Sequence, residues 1–277
     1  MSENLHFIDG DPRLACTVDG EGPPVVFLHG IGGRRQNWNS QIDALRSNFT
    51  CIAWDARGYG DSQDHQGQLA FSDFADDLFR LVEHLEIERA HLVGLSMGAR
   101  ILLDFHPRYG ERVATLTLCD CFYSFESALS PEKQKEFIEL RERPLREGKT
   151  FADLAPKLIE SLVSPSCSAE VREDLRQSII ALRTESYLKT LRASVSFDRG
   201  AELDNIEQPV QLIFGGDDRL TPPSIGSEMQ LKLADAELAV LDGAGHLSNL
   251  EKPALFNETL LKFLTPRSRL AAFSEAP

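Results

Sequence analysis

The sequence predicts an α/β protein: a mostly parallel sheet with helices on both faces, interrupted once by a helical insertion. Short uninterrupted apolar runs recur along the chain, segments of helical period separate them, and several runs stop in glycine-rich turns. Strands without polar alternation belong to a sheet covered on both sides, and strands alternating with helices imply parallel pairing.

The first run, residues 24–28 (Pro-Val-Val-Phe-Leu), ends in His29-Gly30-Ile31-Gly32-Gly33. Comparable runs lie at 50–54, 91–95, 113–119, 210–214 and 237–241, and helical periodicity marks 38–46, 71–85, 99–106, 224–233 and 254–263. The alternation fails between residues 122 and 205. There Ser130 is placed as an N-cap, Pro131 suits the first helical position, and a charged helical stretch follows. The division expected is a core of residues 1–121 and 206–277 carrying a helical cap of residues 122–205, with a disordered tail from Pro266.

The chain has 277 residues and a formal charge of −14, a field that repels nucleic acid and anionic lipid surfaces. No run of 18 apolar residues and no basic, apolar leader occurs, so a cytoplasmic protein without a membrane partner is expected. The five cysteines are odd in number and lack a C-x-x-C pair, which suggests neither a disulfide framework nor a zinc site. No metal and no cofactor is expected. A homo-oligomer is compatible with the sequence.

The chemistry concentrates at Gly94-Leu95-Ser96-Met97-Gly98, a G-x-S-x-G between a strand and a helix. Such a turn is tight enough to strain the serine and needs small flanking residues. A serine hydroxyl needs a base, and the base a carboxylate to fix its tautomer. Two later strands end in Gly215-Gly216-Asp217-Asp218-Arg219-Leu220-Thr221-Pro222 and Asp242-Gly243-Ala244-Gly245-His246. Ser96 is therefore read as nucleophile, His246 as base and Asp218, not its neighbour Asp217, as the orienting acid. The His29 side chain is expected to brace a loop whose Ile31 N–H, with that of Met97, forms an oxyanion hole. Arg57 is expected to brace its own loop, and Arg100 to lie on a helix surface in a salt bridge. Trp38, Phe122, Phe125, Phe137 and Phe151 are candidate substrate contacts.

His29-Gly-Ile-Gly32, Asp55-Ala-Arg-Gly-Tyr-Gly-Asp-Ser62, the serine turn, Gly215-x-x-Asp218-x-x-x-Pro222 and Gly245-His246 together resemble the α/β-hydrolase superfamily over nearly the whole chain. Gly94-Leu-Ser-Met-Gly98 and His246-Leu-Ser-Asn-Leu-Glu-Lys-Pro253 look most like 3-oxoadipate enol-lactonases and related carboxylesterases. Ala99 departs from the second glycine that relatives often carry. The resemblance implies a helical cap and a serine hydrolase acting on a small-molecule ester or lactone. The alternatives are hydrolytic carbon–carbon cleavage of a vinylogous diketone, a lyase or synthase with Arg100 holding an acidic substrate, and a catalytically silent receptor. Against the first stands Leu247, where ring-fission hydrolases commonly have Trp. Haloalkane dehalogenases and epoxide hydrolases are disfavoured by Ser96, since their nucleophile is aspartate.

Overall fold

The computed structural model describes residues 4–124 and 130–274. Its strands are β1 (Leu5–Ile8), β2 (Leu14–Asp19), β3 (Pro24–Leu28), β4 (Thr50–Asp55), β5 (Ile87–Leu95), β6 (Val113–Cys119), β7 (Val210–Gly215), β8 (Ala236–Leu241) and β9 (Ala272–Phe273). They form one sheet in the order β1-β2-β4-β3-β5-β6-β7-β8, with β9 paired to the start of β5. From β3 to β8 every neighbouring pair is parallel, while β1–β2 and β2–β4 are antiparallel.

Alternation along each strand sends residues to opposite faces. Val26 and Leu28 join Phe74, Leu78 and Phe105 on one side, while Val25 and Phe27 join Trp38, Phe256 and Phe263 on the other. β3, β4, β6 and β7 are buried along their whole length, as their apolar runs demand. β8 is the sheet edge, and its residues are mostly half-buried or exposed. The helices covering the sheet are α1 (Asn39–Leu45), α2 (Ser72–His84), α3 (Met97–Tyr109), α8 (Pro223–Lys232), α9 (Ser248–Glu251) and α10 (Pro253–Leu264).

Between β6 and β7 the described residues form α4 (Pro131–Arg146), α5 (Phe151–Leu162), α6 (Ala169–Ile180) and α7 (Thr184–Ser194). Ser130 is the N-cap of α4, although its hydroxyl donates to Glu132 (2.9 Å) instead of accepting from the backbone. A capping box starts α5, where Thr150 N–H donates to Asp153 (2.8 Å). Phe151, Ala155, Ile159, Leu175, Ile179, Tyr187, Leu188 and Leu191 bury a small core of their own, against which Ile31 and Leu247 pack from the sheet side.

One expectation of the fold needs correction. The stretch after Pro266 is ordered through residue 274: a 3-10 turn spans Thr265–Leu270, and β9 pairs antiparallel with Ile87 and Arg89. The antiparallel β1–β2 pair was not foreseen at all, because its partly exposed residues break the apolar runs. Among the described residues no helix is long and apolar enough to cross a membrane.

Candidate active site

The chain leaves β3 for β4 on one side and then crosses back to β5 on the other. This reversal opens a crevice at the carboxyl ends of β3 and β5, where open α/β sheets hold ligands. Ser96 stands there with φ +53° and ψ −108°, a left-handed conformation for a residue with a Cβ. The close packing explains why the turn keeps glycines. A Cβ on Gly98 would collide with the carbonyl of Leu28 at the end of β3, and one on Gly94 with the backbone of Gly98 and Ala99. The Ser96 N–H donates to the carbonyl of Cys119 (2.8 Å), tying the turn to β6.

The structure brings Ser96, His246 and Asp218 into one hydrogen-bonded chain. His246 Nε2 lies 2.9 Å from Ser96 Oγ, and His246 Nδ1 lies 2.8 Å from Asp218 Oδ2. Asp218 also accepts from the N–H groups of Leu220 (2.8 Å) and Thr221 (3.1 Å) and from the Thr221 hydroxyl (2.5 Å). Asp217 is exposed, and its N–H donates to the Ala244 carbonyl. Burial by itself favours a neutral His246, but the charge and hydrogen bond of Asp218, aided by the charge of Asp120, hold its pKa above the ordinary histidine value. Burial pushes the Asp218 carboxyl up, and the charge of His246 and these hydrogen bonds overcome it, leaving the pKa below the usual carboxylate value.

His29 acts on its loop through both ring nitrogens. Its Nε2 accepts from the Ala56 N–H (3.0 Å), so Nδ1 carries the proton and donates to the Gly30 carbonyl (2.8 Å). Gly33 N–H grips the same oxygen at 3.0 Å. Because a trans peptide points its C=O and N–H in opposite directions, this double grip fixes the direction of the Ile31 N–H. Gly30 packs on the nucleophile turn, for a Cβ there would lie 3.3 Å from that of Ser96.

An apolar cavity of about 30 Å³ adjoins this loop, lined by Ile31, Trp38, Leu95, Leu162, Leu175 and Ile179 among others. Of the candidate contacts, Trp38 lines it while packing on Phe27 and Phe256. Phe137 and Phe151 do not. Phe151 meets Tyr187 edge-on and Phe137 stacks under Arg141, both within the insertion. Phe122 lies under the Arg100 guanidinium at 4.9 Å, and Phe125 is outside the described residues. Leu162, Leu175 and Ile179 were missed, since amphipathic helices carry many apolar residues and only the packing selects those that face the core.

Arg100 is not a surface residue. One turn after Ser96, it shares the nucleophile's side of α3, is buried, and donates to the Ser194 carbonyl (3.3 Å) beneath Phe71, Phe122 and Phe197. Burial lowers its pKa to about 10. Arg57 forms a two-pronged pair with Asp77 of α2, at 2.6 and 2.8 Å. Among the described residues no group of three or more His, Cys, Asp or Glu could hold a metal ion.

This fold and serine turn define the class. The family model described as "alpha/beta hydrolase fold" matches residues 23–253, and the chain belongs to that family. It is 29% identical over 255 residues to a protein of Agrobacterium fabrum named "Putative carbamate hydrolase RutD", covering 90% of this chain and 95% of the relative. Among solved structures it is similar to a thermophilic esterase from Thermogutta terrifontis, malate bound (TM-score 0.87, 29% identity, 96% of this chain and 98% of that one). It is also similar to the enol-lactonase from Burkholderia xenovorans (TM-score 0.81, 25% identity, 92% and 97%). Family and relatives support a hydrolytic enzyme.

Proposed function

We propose that the protein hydrolyses a carboxylic ester or lactone through an acyl-enzyme on Ser96. The observation that carries this reading is the continuous Ser96–His246–Asp218 chain, with links of 2.9 and 2.8 Å. Ser96 Oγ attacks the carbonyl carbon while its proton passes to His246 Nε2, and the imidazolium is held by Asp218. The tetrahedral oxyanion is received by the N–H groups of Ile31 and Met97. Collapse expels the alkoxide, which takes the proton from His246; in a lactone this hydroxyl stays within the acyl group. Water then attacks the ester carbonyl by the same route, releasing the acid and restoring the Ser96 hydroxyl.

In this reading residues 122–205 cap the site, and the cavity beside Ile31 takes the apolar part of the acyl group. The esterase and enol-lactonase likenesses support the same chemistry. A fluorophosphonate probe should label Ser96 and release of acid from a small aryl ester should vanish in Ser96→Ala, with the melting temperature nearly unchanged. Failure to label would overturn the reading in favour of a silent receptor. Faster turnover of a ring-fission diketone than of any ester or lactone would move it to carbon–carbon hydrolysis.

A further inference from the structure

Asp120 is a buried carboxylate that the reaction above does not use. It follows β6 immediately, in a left-handed conformation with φ +45°, and is fully buried. Its own N–H donates to the Ile213 carbonyl (3.0 Å). Its Oδ1 accepts from the Gly215 N–H (2.7 Å), three residues before Asp218. Its Oδ2 accepts from the N–H (3.2 Å) and hydroxyl (2.5 Å) of Ser248, two residues after His246. The carbonyl of the preceding Cys119 receives the Ser96 N–H. Asp120 thus ties together the turns that carry the proposed acid and base, and the residue before it holds the turn of the proposed nucleophile.

We propose that Asp120 is a positioning residue that holds the Asp218 and His246 turns at their working separation and supplies a second negative charge that stabilises protonated His246. The proposal rests on the hydrolase reading for its kinetic consequence, but not for its electrostatic one. Three donors converging on a carboxylate are the arrangement that favours the charged form. Burial outweighs them and, with the His246 charge opposing the rise and the Asp218 charge adding to it, leaves the Asp120 pKa raised to about 7.

The groups around it leave its charge as the variable one. On its own strand end, the thiols of Cys119 and Cys121 are pushed far up by burial. From the β7 turn comes Asp218, held below the usual carboxylate value, and from the β8 turn His246 itself. Arg100 on α3 opposes protonation of His246 and keeps a charge well beyond neutral pH.

Asp120→Asn keeps the shape and an acceptor for Gly215 while removing the charge. The ring signals of His246 should then titrate at lower pH by roughly half to one unit in NMR, and the acid limb of kcat/KM should move with them. Ser248→Ala deletes one hydrogen bond but leaves the carboxylate, and should lower the His246 titration by less than Asp120→Asn does. A folded Asp120→Asn protein with an unmoved His246 titration overturns the proposal. Should the substitution prevent folding, Ser248→Ala decides: loosening the tie between Asp120 and the His246 turn should slow fluorophosphonate labelling of Ser96 and lower the His246 titration, and a folded variant unchanged in both overturns the proposal. The NMR arm needs no turnover, so loss of the esterase reading through absent probe labelling is a separate outcome.

Discussion

The backbone N–H of His246 donates to the carbonyl of Leu162 at 2.7 Å, so the histidine turn hangs directly on the last residue of α5. Glu251 reinforces this junction. Its Oε1 accepts from the Gly245 N–H (2.9 Å) and its Oε2 from the Ser164 N–H (2.8 Å). The turn and the end of α5 are therefore tied together by three hydrogen bonds. Glu251→Ala leaves two amides without their acceptor, at about 1–3 kcal/mol each where buried. Expected are a lower melting temperature and a slower reaction of Ser96 with a fluorophosphonate, with Glu251→Gln intermediate. Unchanged labelling in Glu251→Ala would show that the clasp does not govern the site.

Asp218 and Asp217 should separate sharply. Only Asp218 meets His246, while Asp217 faces solvent. Asp218→Asn should cut kcat by about 10⁴, the order seen when the acid of such a triad is neutralised. Asp217→Asn should stay near the parent value. Kinetics of both variants on one ester check this, and a larger loss at Asp217 reverses the assignment.

On the proposed reading the cavity beside Ile31 takes the apolar part of the acyl group and favours a short chain. At about 30 Å³ it has room for roughly two water-sized groups, which suits an acetyl or propionyl chain. Leu162→Ala enlarges it without moving the Leu162 carbonyl that anchors His246. The ratio of kcat/KM for hexanoyl over acetyl aryl esters should rise by about tenfold or more, since one methylene is worth about 1–3 kcal/mol in such pockets. A ratio that does not change places the acyl chain elsewhere.

Acid should destabilise the core through His91. This ring is fully buried in β5, bonded through Nδ1 to Thr115 (2.9 Å), with its pKa lowered to about 4 by burial. A folded-state pKa below the unfolded value stabilises the fold fully above about pH 6.5, and that contribution is lost as pH falls from there towards 4. At about 1.4 kcal/mol per unit the swing is roughly 3 kcal/mol. Urea midpoints between pH 7 and 4 should fall less steeply in His91→Gln than in the parent, and parallel curves would refute the assignment.

What could be read from the sequence was what the backbone demands locally. Gly94 and Gly98 are required by atoms within the turn or at the end of the neighbouring strand, so the motif carries its own explanation. The position of Asp218 and His246 beyond strand ends follows from apolar runs meeting glycine turns. Arg100 was misplaced because helical period alone does not say which side of α3 meets the insertion. Phe151 and Leu175 look alike on amphipathic helices, yet only Leu175 reaches the cavity. Asp120 had a visible cue, an acid closing an apolar strand between two cysteines, but its three donors come from residues about 95 and 128 positions away.

The cysteines give the molecule a built-in gauge of its own opening. Cys16 in β2, Cys51 in β4, Cys119 at the end of β6 and Cys121 just after Asp120 are all buried, and only Cys167 is partly exposed. Burial holds Cys16 and Cys51 at about 12 and the pair beside Asp120 still higher, so at neutral pH they are almost wholly thiols and poor nucleophiles. A thiol-reactive dye should therefore report one slowly labelled site on the folded protein and four that react only when strands part. Because the four are spread across the sheet, the order in which they take up dye would map which part of the molecule yields first, with no label introduced by mutation.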